Sequence, residues 1–140
     1  MTYSINTTTL YDGVDAEVSR ISDAAYSDNG MSLYDAVVLT EKDKDWVEDL
    51  IDEAVQVLLR PLADIATLSS GTITINAPDI VTANATAAEN AITRYLVLSA
   101  TMGVLQERRA ALVPAFANRV QEALNDVISL VRTRTAPSRS

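Results

Sequence analysis

Hydrophobic residues recur along this chain with two different periods. In "TLYDGVDAEVSRISDAAYSDNG" the apolar positions Leu10, Val14, Val18, Ile21 and Ala25 fall at steps of three and four. That spacing predicts an amphipathic helix. Gly13 weakens its first turn by roughly 1 kcal/mol relative to alanine. The "SDNG" at Ser27–Gly30 predicts its stop, because glycine readily takes the left-handed conformation that closes a helix. The polar, threonine-rich residues 1–9 predict an extended arm before it. The apolar residues of "MSLYDAVVL" bunch rather than alternate, which predicts a loop or a short helical turn.

A second helix is predicted from Thr40, where "TEKD" has the capping-box form. There the Thr40 hydroxyl and the Asp43 carboxylate satisfy free N–H groups of the first turn. Glu41, Asp43 and Asp45 sit where the helix dipole favours negative charge. The buried stripe is expected to be Val47, Leu50, Ile51, Ala54, Leu58, Leu62 and Ile65, with Trp46 on its flank. Pro61 has no N–H for the Val57 carbonyl, so the helix is expected to kink or restart there.

The period then changes to two. Thr72–Asn76 alternates threonine and isoleucine, a strand signal. Asn76–Asp79 predicts a turn, with Ile80–Thr82 as the returning strand of a hairpin. A hairpin alone is marginal in water, so it must lie on the helices or pair with another chain. "TAAE", Thr86–Glu89, predicts a second capping box and a helix carrying Ile92, Tyr95, Leu96, Met102 and Leu105. Ser99, Ala100 and Gly103 make one side of it small, which admits a close neighbour. Pro114 suits the first turn of a last helix, with a stripe of Phe116, Val120, Ala123, Leu124, Val127, Ile128 and Val131. The expected fold is mostly all-α: about four helices in a bundle, one short β-hairpin and extended termini. The expected organisation is a single domain, with an N-terminal arm and first helix over 1–36. A helical core over 37–134 follows, with its hairpin near 72–83, then a polar tail over 135–140.

Composition narrows the chemistry. At 140 residues the chain is large enough for one real core, and at 5% aromatic that core is chiefly aliphatic. There is no cysteine and no histidine, which removes thiolate chemistry, the usual neutral-pH acid/base and the commonest metal ligand. No apolar run approaches membrane-spanning length. The N-terminus lacks the pattern of a signal peptide, and a cytoplasm-like compartment is expected. The net charge is −8, unevenly placed: residues 1–70 hold fourteen acids and four bases, residues 71–140 five acids and seven bases. Opposite-signed halves suit a protein whose copies meet one another, although charge also simply follows solvent. Bulk acidity opposes general nucleic-acid binding.

Asp45, Asp49 and Glu53 stand at steps of four, beside a row of Asp45, Glu48 and Asp52. Such rows serve as a solvated face or a face for a basic partner. They lack the loop spacing of a calcium site. No second carboxylate faces them across a cleft and no histidine partners a hydroxyl, so no catalytic residue, metal or cofactor is expected. The contact surfaces expected are the Ile73–Ile75 strand, by edge pairing unless it is simply core, and the arginines Arg108, Arg109, Arg132 and Arg134. For these arginines the alternative is helix-dipole complementation and a disordered tail.

The order of parts, with Thr40, Asp43, Leu50, Ile51 and Ala54 in the pattern T-x-x-D-x-x-x-x-x-L-I-x-x-A, resembles the small helical head–tail connector (adaptor) proteins of tailed bacteriophages. The resemblance spans residues 37–132 in pattern. Pro61 and the long N-terminal segment depart from it. It implies a non-enzymatic virion protein of the neck, assembled in the host cytoplasm as a ring of copies between portal and tail. Its partners would be itself, the portal and other neck or tail proteins. DNA would pass through the channel without specific binding, and no membrane would be involved. A different class, an acidic binding module or DNA-mimicking inhibitor, would spread its acids over the whole surface instead of gathering them before residue 70.

Overall fold

The computed structural model describes residues 2–29, 39–76, 82–108 and 110–131. Among them are four helices: α1 (Thr7–Asn29), α2 (Lys44–Leu59), α3 (Thr82–Arg108) and α4 (Val113–Val131). Three short strands accompany them: β1 (Thr2–Ser4), β2 (Ala66–Ser69) and β3 (Thr72–Ile75). Short 3-10 turns, Glu41–Asp43 and Ala110–Leu112, lead into α2 and α4. The mostly helical architecture with a β-hairpin is therefore observed. The predicted stop at Gly30, the connector at 31–38 and the tail at 135–140 lie outside the described residues.

Helix α3 is the centre, and α1, α2 and α4 all pack on it. Its buried residues, among them Ala88, Ile92, Tyr95, Leu96, Leu98, Ala100, Val104 and Leu105, point in several directions. A helix apolar on most sides is one surrounded by protein. Thr101 is fully buried there, and its hydroxyl is satisfied by donating to the Val97 carbonyl at 2.7 Å. The outer helices each bury one stripe: Leu10, Val14 and Val18 on α1; Val47, Ile51, Ala54, Val55 and Leu58 on α2; Phe116, Val120, Ala123, Val127 and Val131 on α4. Tyr3, Leu62, Ile73 and Ile75 join the same cluster, so the N-terminal segment belongs to the core it precedes.

Two glycines set how closely the helices approach. A Cβ on Gly13 would lie 2.8 Å from Val97 Cγ2, and one on Gly103 would lie 2.8 Å from Leu50 Cδ2. The small side predicted on α3 is thus where α2 sits, and Gly13 serves α1 in the same way.

The β structure differs from expectation. The three strands form an antiparallel sheet in the order β1-β3-β2. The partner of β3 within the hairpin is β2, upstream, with Ser69 opposite Thr72. The loop is Ser70–Gly71, with φ of 51° and 75°. A two-residue loop with both φ positive is the type I′ turn, whose twist matches the strands. The turn chemistry therefore lies at "SSG", ahead of the alternating run. Ile80 and Val81 lie outside the described residues, and Thr82, expected at the end of a returning strand, is helical. The arm is not free either, since Thr2, Tyr3 and Ser4 pair with Thr74, Ile73 and Thr72. Helix α1 then begins three residues before Leu10, where the Thr9 N–H donates to Asn6 Oδ1 at 3.1 Å as a side-chain cap. Helix α3 likewise starts earlier than "TAAE" suggests, and Thr86 is internal to it.

Pro61 ends α2 outright. The Val57 carbonyl, which Pro61 cannot serve, accepts the Arg60 N–H at 3.3 Å, and tight turns carry the chain to β2. Leu62 and Ile65 still pack on the core, from these turns instead of from a continuing helix.

Candidate interaction surfaces

The start of α2 is held by several side-chain contacts. Thr40 is extended, with φ −118° and ψ 171°. The Asp43 carboxylate accepts the Thr40 N–H at 3.0 Å and the Thr40 hydroxyl at 3.3 Å. Its other oxygen pairs with Arg108 Nη2 at 2.7 Å. The backbone hydrogen bond from Thr40, then the Arg108 guanidinium, hold the Asp43 carboxyl below its ordinary value. Arg108 also lies over the Trp46 ring, 5.1 Å from its centroid. The Tyr11 hydroxyl reaches the Thr40 carbonyl at 3.4 Å. One carboxylate thus joins the start of α2 to the end of α3, with α1 alongside.

Arg108, expected at a contact surface, is accordingly engaged within its own chain, and its side chain is 23% exposed. Arg109, Arg132 and Arg134 lie outside the described residues. Ile73 and Ile75 are 0% and 1% exposed, so neither offers a side chain to a neighbour. The physical reason is the strand period: both isoleucines point to the helices, and β3 is the middle strand with both edges already paired. The sheet's free edges belong to β1 and β2, and β2 exposes Leu68 at 39%.

The acidic rows of α2 are placed as their spacing requires. Asp45, Asp49, Asp52 and Glu53 are exposed and Glu48 is half-buried. The stripe opposite them is in the core. None of these five carboxylates forms an ion pair with a described residue. They lie along a helix side and do not converge, and no group of three ligands suited to a metal occurs among the described residues.

A second charged surface carries no local sequence motif. A groove of about 470 Å³ runs over α3 between α1 and α4. Arg20 and Glu17 of α1, Arg94 of α3 and Arg119 of α4 give it three guanidiniums and one carboxylate. Glu17 Oε2 is buried, touches the Arg20 guanidinium and lies 3.9 Å from Arg119 Nη2. Arg119 also packs over the Phe116 ring, 4.8 Å from its centroid. The floor includes Val97 and Leu98, with Ala16 on the wall. Each arginine comes from a different helix, so no local motif could have announced the cluster. The only hint was that Arg20 and Arg119 are the lone basic residues of their helices.

No family model, curated protein or solved structure matches the chain. No described helix is long and apolar enough to cross a membrane.

Proposed function

We propose that this chain is a non-enzymatic structural protein of a phage neck, a head–tail connector whose copies form a ring between portal and tail. The observation that carries this reading is the acidic face of α2. It is a row of exposed carboxylates on a helix anchored at its start and along its opposite stripe, and unmatched by any described cation of its own chain. A fixed, unneutralised, extended charge is suited to meeting another surface. The same chain carries an arginine-lined groove elsewhere, so unlike surfaces are available for repeated contact between copies. The pattern Thr40, Asp43, Leu50, Ile51, Ala54 supports the reading at the level of resemblance. Its first two residues make the cap, while Ile51 and Ala54 are buried and Leu50 packs beside Gly103.

The test is the assembly state of the purified full chain, alone and with candidate portal protein, by light scattering and negative-stain microscopy. Rings, or docking on the portal, are expected. A chain that stays monomeric with portal and instead binds a DNA-binding enzyme belongs to the acidic-inhibitor class.

A further inference from the structure

We infer that the arginine groove over α3 receives the acidic face of α2 from a second copy of the chain, and that this is the repeated contact of the assembly. The inference rests on the ring reading above and names the two surfaces that meet.

The groove is concave, mixed in character and positive. Glu17 is already engaged by Arg20 and Arg119, which leaves Arg94 exposed with no carboxylate partner among the described residues. A ligand suited to it brings several carboxylates in a line and some apolar surface for Val97 and Leu98. The outer face of α2 has that composition. Asp45, Asp49, Glu53 and Val57 follow one another at steps of four, and Val57 is 39% exposed. At 1.5 Å per residue the carboxylates span about 12 Å from Asp45 to Glu53, and Val57 extends the row to about 18 Å. The Arg94 guanidinium can take one carboxylate of the row as a paired, two-point hydrogen bond, while Arg20 and Arg119, shared with Glu17, add positive field beside it.

The two surfaces cannot satisfy each other within one chain. None of the α2 carboxylates lines the groove, and α2 is held on α1 and α3 by its apolar stripe. A contact between unlike surfaces on separate copies leaves one of each free at the ends, so it propagates, and the ring reading requires its rotation to close. Nucleic acid is a poorer occupant, since phosphates entering the groove would bring their neighbours against a chain of net charge −8.

A charge exchange tests this on the full chain. One variant, R94E with R119E, makes the groove negative; the other, D49K with E53K, turns the Asp45–Asp49–Glu53 row from a charge of −3 to +1. Each alone opposes like charges and should associate at least about tenfold more weakly than wild type at low salt. Mixed in equal amounts, each groove meets a face of opposite sign, and the mixture should assemble with the two chains alternating. Circular dichroism melts establish that the variants fold, and R94E alone, at an exposed position, gives the same direction if the double variant does not. If wild type assembles and both variants assemble equally well alone, this inference fails and the ring reading stands. If wild type never assembles, with or without portal, both fail. DNA retained by wild type and lost in R94E, with assembly unchanged, would give the groove to a phosphate backbone and overturn the inference.

Discussion

Asp43 is the residue through which the acid-rich start of α2 acquires a structural role. Its carboxyl is held below the ordinary value of 3.8 by the Thr40 N–H and by Arg108. A carboxyl whose folded-state value is depressed adds stability that is complete above the ordinary value and fades as pH falls through the lowered one. Thermal melts of Asp43→Asn should therefore show a weaker loss of stability than wild type below about pH 4, and lower stability near neutrality. Because Asp43 and Arg108 are partly solvent-screened, Arg108→Ala is expected to cost about 1–2 kcal/mol. Part of that loss comes from the Trp46 contact. At the hairpin, Gly71 has φ 75° with nothing near its missing side chain. Gly71→Ala should cost about 1 kcal/mol from backbone strain alone. Ser70→Gly, at φ 51°, should be neutral to stabilising when both variants are compared with wild type by denaturant titration.

Between elements, the two close-approach glycines should respond differently to alanine. Both changes gain about 1 kcal/mol of helix propensity. At Gly13 the new methyl meets Val97, a β-branched side chain on the central helix with little freedom to move, so overpacking of about 1–3 kcal/mol outweighs the gain. At Gly103 it meets the far end of Leu50, half-buried and able to turn outward, so the melting temperature should hardly change. At this scale the apolar stripes of the three outer helices, the Thr40 cap and Pro114 in the first turn of α4 are readable because each depends on neighbours three or four residues away. The N-terminal strand has the opposite cause. β1 is a strand only because β3 lies beside it, and α3 starts early at Thr82. The hairpin's partner lies upstream because the turn is Ser70–Gly71, with both φ positive, and not the "NAPD" at Asn76–Asp79. Asn6 was a legible cap, hidden by treating the first nine residues as an arm. Removing residues 1–5 should consequently destabilise the whole fold, since Tyr3 is buried and its hydroxyl pairs with Thr93 Oγ1 at 2.8 Å.

Over the whole molecule, the uneven charge of the sequence resolves into two surfaces. The acid face was legible because one helix carries it. The arginine groove was not, because three helices contribute one arginine each. An acid-rich face serving contact and not metal predicts that micromolar Ca²⁺ or Mg²⁺ leaves the melting temperature unmoved beyond ionic-strength effects. A rise of several degrees would assign the carboxylates to an ion. The proposed function requires copies of this chain to assemble. Light scattering of the purified full chain at low and high salt, with and without portal protein, tests it most directly. The account predicts a closed oligomer or a portal-bound ring that loosens as salt screens the charged contact. A monomer at every salt concentration that also ignores the portal would contradict it.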